Sequence, residues 1–321
     1  TETLPRTTGV YMFTDSQGEV LYVGKASNLR SRVRSYFGTN ESRTKVGSLL
    51  KLMQGIEFIQ TPDLLTAEVL ELRIIGRLRP RYNHAGTRTA KYCYVRLTTD
   101  EEWPRLMVSK TPSAKGLCIG PISTRNMATE VVDAIESVIP LRRCTVRMGR
   151  NYVAPEGAPV CSAARLGLAQ CPCSGTAEPE SYANAVQQAA DALTGKSSFV
   201  RDALTERMNA HSEAQRYEEA AYLRDRIQTF ETVLRRQEQA EKLCSQGKFT
   251  VSFDNIVYEV DNGVLASTRN ADQLFMPLSS LSKQVQEAIS PPAGVHDDHG
   301  VLRNDAMDEV LCIAKFLEAQ K

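Results

Sequence analysis

Gly9-Val10-Tyr11-Met12-Phe13-Thr14, then Asp15-Ser16-Gln17-Gly18, then Val20-Leu21-Tyr22-Val23-Gly24-Lys25 is the stretch on which the fold turns. Two strand-like runs flank a tetrapeptide of turn residues, the pattern of a β-hairpin. Asn28-Leu29-Arg30-Ser31-Arg32-Val33-Arg34-Ser35-Tyr36 follows and reads as a short helix carrying Arg32 and Tyr36 on one face. Hairpin and helix together bring Tyr11, Tyr22, Lys25, Arg32 and Tyr36 into one neighbourhood. Cleaving a phosphodiester needs a base for water, cations to face the developing charge, and a carboxylate to hold a metal ion.

A candidate carboxylate comes later. Leu70, Ile74, Ile75 and Leu78 recur at helical spacing, so that face packs on the sheet and Glu71 points sideways, twelve residues before Asn83 in Arg79-Pro80-Arg81-Tyr82-Asn83. Taken singly, a helical glutamate usually makes an i,i+4 pair, a strand tyrosine usually packs, and a lysine or arginine is usually solvated. Only the joint spacing argues for a site.

These motifs resemble the GIY-YIG nuclease family and, within it, the bacterial UvrC and Cho excision-repair nucleases. The resemblance implies one divalent cation, magnesium or manganese, on Glu71, with Tyr11 as general base, Tyr22 orienting water, and Arg32, Lys25 and Tyr36 facing the phosphate. A phenol titrates near pH ~10, so Lys25 and the metal are expected to favour the ionised form of Tyr11. Asn83 is expected to brace the site.

Composition limits the class. No apolar run is long enough to cross a bilayer and no signal peptide is visible, which reads as a cytoplasmic protein, expected to be a monomer. The first residue is Thr1 rather than Met, which reads as a piece cut from a longer polypeptide. Net charge is only +1, yet residues 1–90 hold 13 Lys and Arg against 8 Asp and Glu. Arg30, Arg34, Arg43, Lys45, Arg79 and Arg81 are candidate backbone-phosphate contacts, with further basic clusters at Arg73 and Arg77 and at Arg142, Arg143, Arg147 and Arg150. No motif for base readout is visible.

Five segments are expected in an α+β chain: a nuclease domain of antiparallel sheet and helices (1–90), an α/β connector (91–140), a cysteine-rich segment (141–181), a helical region (182–242) and a small α+β domain (243–321). Of the eight cysteines, Cys93, Cys118, Cys244 and Cys312 sit in apolar surroundings and read as small buried hydrophobes. Cys144, Cys161, Cys171 and Cys173 lie within thirty residues that have little power to build a core, which suggests metal chemistry. By the resemblance they hold an iron–sulfur cluster, [4Fe-4S], with structural zinc the alternative. The Cys171-Pro172-Cys173 spacing is tighter than the family's usual run.

Leu204 to Leu234 resembles the UVR motif with which UvrC holds UvrB, in Met208, Tyr217-Glu218-Glu219-Ala220-Ala221, Leu223-Arg224-Asp225 and Ile227. It reads as an αα-hairpin turning near Gln215, with Tyr217, Glu218, Ala220, Ala221 and Arg224 as partner contacts. Tyr217 stands where the family has Phe. Beyond Lys248 three strands are expected, with a turn at Asp261-Asn262-Gly263, then a loop in which His296 and His299 read as solvated, and a last helix over Asp305–Gln320. About eighty residues cannot hold the second nuclease and helix-hairpin-helix elements of UvrC, so the expected relative is Cho. The implied activity is a UvrB-dependent nick 3′ of a lesion in damaged double-stranded DNA. A silent UvrB-docking module and a UvrB-independent structure-specific nuclease are the alternatives.

Overall fold

In the computed structural model, residues 3–38, 44–83, 92–149, 151–175, 177–270, 281–298 and 300–320 are described. They divide into two compact units. The first combines residues 1–89, 240–295 and 304–321, and the second combines 90–239 and 296–303. The small α+β segment expected near the C-terminus thus shares a unit with the N-terminal sheet.

The first unit is built on β1 (Gly9–Thr14), β2 (Val20–Ala26) and β3 (Gly55–Gln60), antiparallel in the order β2-β1-β3. Asp15 closes the hairpin, its Oδ1 accepting from the N–H groups of Gln17 and Glu19, both at 2.9 Å. Strand alternation sorts the core. Tyr11 and Phe13 face α1 (Leu29–Ser35) and α2 (Thr44–Leu52), whereas Val10 and Met12 face α3 (Leu64–Leu78) and a later helix over Lys283–Ile289. Asn28 caps α1 by accepting from the Ser31 N–H, and Asp63 caps α3 by accepting from the Thr66 N–H.

The second unit holds β4 (Cys93–Leu97), β5 (Leu106–Ser109) and β6 (Leu117–Ile122) in the order β5-β4-β6, then α4 (Arg125–Glu136), α5 (Ser162–Arg165), α6 (Pro179–Leu193), α7 (Phe199–Glu213) and most of α8 (Tyr217–Ser245). One core joins Val95, Ile119, Ile135, Tyr182, Leu204 and Phe230. The helical hairpin turns as expected, with Gln215 left-handed at φ 55° and Tyr217 opening α8. The second helix continues well past Leu234.

Back in the first unit, β7 (Lys248–Phe253), β8 (Ile256–Asp261) and β9 (Val264–Asn270) form an antiparallel meander with the Asn262-Gly263 turn anticipated. The helices α9 (Lys283–Ile289) and α10 (Asn304–Ala319) complete it. Phe316 of α10 packs on Phe253 and Tyr258, so the last helix covers the small sheet. It also reaches α3.

That packing corrects two readings of the basic clusters. Arg73 is buried rather than phosphate-facing: its guanidinium pairs with Glu309 at 2.6 Å and donates to the carbonyls of Ile289 and Leu265. Arg77 donates to the carbonyls of Glu287 and Ala288. Likewise Arg142 is 1% exposed, pairs with Glu101 and organises the loop through the carbonyls of Trp103, Cys144 and Val146. Arg143 is near Glu136. A buried cation needs every donor satisfied, and these find carbonyls and carboxylates of their own chain.

Candidate active site

Two glycines let the sheet close up, Gly9 against β3 and Gly24 beneath a ring of β1. A side chain on Gly9 would collide with the backbone carbonyl of Ile59 on β3, and one on Gly24 would collide with the hydroxyl end of Tyr11. Tyr11 opposes Gly24 in the register and Phe13 opposes Tyr22, so the Tyr11 ring lies over the vacant position and reaches the Tyr22 side of the sheet.

The three phenols form a chain. Tyr11 and Tyr36 share a hydrogen bond of 2.8 Å, and the Tyr36 hydroxyl donates to that of Tyr22 at 3.3 Å. Arg32 lies over the Tyr36 ring at 5.5 Å, and its charge acts on the Tyr11 hydroxyl. Burial raises the Tyr11 and Tyr36 hydroxyls to about 12 against the opposing pull of Arg32, and Tyr22 also shifts upward through burial. Tyr11 is fully buried while Tyr22 is half-buried, so Tyr22 is the outward member of the chain. The cation acting on Tyr11 is Arg32; Lys25 opposes Val10 in the register, and its ammonium goes to carboxylates instead.

β2 is an edge strand, and its outer edge is sealed by the downstream motifs. Leu21 O accepts from the Tyr82 N–H at 3.1 Å. The Asn83 amide then pairs with Val23 as a strand would, accepting from its N–H and donating to its carbonyl, both at 2.8 Å. Next, Glu71 Oε1 accepts from the Lys25 N–H at 3.1 Å. The Arg-Pro-x-Tyr-Asn signature and the glutamate occupy one ladder. Asn83 thus holds the β2 backbone through both of its amide atoms.

Glu71 can hold a hard cation. Its side chain is 20% exposed, and burial raises its carboxyl pKa against the opposing charge of Lys25. Lys25 Nζ lies 3.7 Å from Glu71 but 2.9 Å from Glu68, a residue the sequence reading did not single out. Among the described residues no group of three or more His, Cys, Asp or Glu is arranged around an ion, which leaves one carboxylate with a hydration shell as the mode that fits.

The candidate phosphate contacts lie in different settings. Arg34, Arg79 and Arg81 are exposed, Arg81 over the Tyr82 ring at 5.5 Å, whereas Arg30 donates to the Leu4 carbonyl. Arg43, Arg150, His299 and the Lys45 side chain lie outside the described residues.

In the second unit, Cys171 and Cys173 place their sulfurs 3.0 Å apart. Burial opposes ionisation of Cys171, but hydrogen bonds from Cys161, Cys173 and Ser174 outweigh it and lower its pKa to about 7. Burial and its bond to Cys171, with the charges of Cys144 and Cys161, push Cys173 to about 12. Two thiolates on one tetrahedral zinc sit about 3.8 Å apart for bonds of about 2.3 Å, so the spacing here is not that of an ion-holding pair. Cys93 and Cys244 are buried as expected, but Cys118 and Cys312 are half-buried.

On the hairpin, Tyr217 is 64% exposed, Glu218 and Arg224 are exposed, and Arg224 pairs with Asp225. Ala220 is turned inward and offers no surface; exposed Tyr222, stacked with Arg226 at 4.8 Å, does.

The family comparisons agree with this geometry in stages. Residues 7–84 match the UvrC-like GIY-YIG domain, so the sheet with its tyrosine chain is of the GIY-YIG class. Residues 92–192 match the UvrC/Cho excinuclease middle domain and 200–233 the UvrB/uvrC motif. With the three in this order, the chain belongs to the UvrC/Cho group. UvrABC system protein C of Syntrophus aciditrophicus is 35% identical over 73% of this chain and 37% of its own length, and that of Koribacter versatilis is 36% identical over 73% and 38%. The chain thus spans well under half the length of these curated relatives. Among solved structures, the magnesium-bound GIY-YIG N-terminal endonuclease domain of UvrC from Thermotoga maritima is 34% identical, covering 25% of this chain and 88% of that one, with a TM-score of 0.24.

Proposed function

We propose that this chain is a cation-dependent DNA endonuclease of nucleotide excision repair. The observation that carries the reading is the meeting of the phenol chain and Glu71 at the Gly24–Lys25 peptide. Magnesium or manganese held by Glu71 would supply positive charge to the scissile phosphate and leaving oxygen. Arg32 adds a planar donor fork that also biases Tyr11 toward its ionised form. Base work belongs to the phenol chain as a unit, with Tyr22 nearest solvent and Tyr36 linking it to Tyr11. Lys25 keeps the carboxylates in place. Exposed Arg34, Arg79 and Arg81 grip backbone phosphates without reading bases.

The finer reading is Cho-like: a nick on the 3′ side of a lesion, made by a cytoplasmic monomer after UvrB has loaded, with the hairpin of α7 and α8 docking on UvrB through Tyr217, Glu218, Ala221 and Arg224. The match to the UvrB/uvrC motif supports that partner. The four thiols Cys144, Cys161, Cys171 and Cys173 are proposed as a metal centre, an iron–sulfur cluster ahead of zinc, on their donor chemistry alone, and holding an ion would require the Cys171 and Cys173 sulfurs to part from their 3.0 Å contact. Visible absorbance with iron, sulfide and zinc content after anaerobic purification decides between them.

The test is incision of a 5′-labelled duplex bearing one bulky adduct, with magnesium or manganese, with and without UvrB and its loader. A UvrB-dependent nick 3′ of the adduct, lost in Glu71→Ala, is the expected result. Cutting without UvrB makes the protein an independent structure-specific nuclease, and UvrB binding without cutting makes it a silent docking module.

A further inference from the structure

The regions matched to family models end at residue 233, yet the unmatched C-terminal elements grip α3, the helix that carries Glu71. Tyr258 bonds the Asp63 cap, Thr268 bonds Thr66 at 3.2 Å, Glu309 pairs with Arg73, and the carbonyls of Glu287 and Ala288 hold Arg77. These contacts run along the length of the helix. Beside the site the same helix carries two carboxylates, Glu68 and Glu71. The two carboxylates flank a single ammonium, with Glu68 at 2.9 Å and Glu71 at 3.7 Å from Lys25 Nζ.

This asymmetry has a chemical consequence. An ammonium settled on Glu71 would neutralise the carboxylate and cover the oxygens a divalent ion needs, because the two cations compete for one anion. Glu68 offers Lys25 a second anion one helical turn away. Thr268 bonded to Thr66 and the buried Arg73–Glu309 pair restrain α3 on either side of Glu68 and Glu71, so the offer is made from a fixed place.

We propose that Glu68 is a positioning residue of the cation site: fixed by the contacts that hold α3, it draws the Lys25 ammonium away from Glu71 and so keeps Glu71 Oε2 for a divalent cation. The inference rests on the reading of Glu71 as the cation's ligand. Lys25 has two states in this account, one on each glutamate, and α10 biases the choice.

Manganese binding to the full chain, followed by the electron paramagnetic resonance signal of the free ion, tests this without DNA. Glu71→Gln should remove the site; if it does not, the reading of the cation ligand fails, whatever Glu68 does. Glu68→Gln should weaken binding by about fivefold, the scale of a half-exposed ion pair, with thermal unfolding nearly unchanged. Adding Lys25→Met to Glu68→Gln should restore the affinity, since the competing ammonium is gone. Unchanged binding in Glu68→Gln overturns the proposal. So does a loss that Lys25→Met fails to rescue, which would make Glu68 a ligand itself.

Discussion

Tyr11 and Glu71 lie against the same peptide unit from different elements: the Tyr11 hydroxyl fills the space a side chain on Gly24 would take, and the next N–H, that of Lys25, donates to Glu71 Oε1 at 3.1 Å. One strand position therefore sets the distance between the phenol chain and the carboxylate. Gly24→Ala is expected to push the Tyr11 ring out, costing about 1–3 kcal/mol of stability as an overpacked core and a larger share of incision. Urea unfolding beside single-turnover cutting checks it; a variant that cuts normally would remove Gly24 from the account. Gly9→Ala should cost more stability, since its obstacle is the Ile59 backbone rather than a side chain that can turn.

How much of this was legible follows from where each constraint is local. The hairpin, the Asn28-capped helix and the Tyr11, Tyr22, Arg32 and Tyr36 cluster follow from turn residues and spacing within thirty positions, so the sequence announces them. Glu71 and Asn83 were readable as a pair, though not as two steps of a ladder along β2. Glu309 left a signal that went unread: it falls in the apolar stripe of Ala306, Val310 and Ile313, where a charge demands a partner. Its partner, Arg73, is more than two hundred residues away, and no periodicity carries that distance. The same non-local packing turned Arg73, Arg77 and Arg142 from apparent phosphate contacts into internal braces.

Removing the charge of Glu71 should stop cutting while DNA binding stays within about twofold. Glu71→Gln keeps the hydrogen-bonding shape toward the Lys25 N–H but loses the anion, so single-turnover incision is expected to fall by about a thousandfold or more. Filter binding on the same duplex supplies the comparison. A variant retaining normal cutting would exclude Glu71 as the ligand.

The Arg73–Glu309 pair should matter for folding far more than its single contact suggests. Both side chains are nearly inaccessible, at 8% and 2% exposure. Glu309→Gln strands the Arg73 charge and is expected to cost about 3–5 kcal/mol in chemical denaturation. Arg73→Met with Glu309→Leu should recover part of the loss, but the Leu265 N–H and the Leu265 and Ile289 carbonyls would still lack the partners they have now. Equal stability of the single and double variants would mean the pair carries no buried charge penalty.

The pH dependence follows from two upward shifts with different consequences. Cation binding needs ionised Glu71, and burial raises its pKa above 4.5, so manganese affinity should begin to fall on acidification at a higher pH than for an ordinary glutamate. Proton abstraction needs an ionised phenol, and burial raises Tyr11 and Tyr36 to about 12. Below that value the ionised fraction grows tenfold per pH unit, so the single-turnover rate at saturating cation should climb steadily from about pH 7 to pH 10 without a plateau. Arg32→Ala removes a charge that opposes the shift, and its profile should lie lower at every pH with the same upward slope. A plateau below pH 9 in the parent protein would show that the bound cation lowers the phenols or that another group takes the proton, and titrating the tyrosine absorbance at saturating cation separates the two.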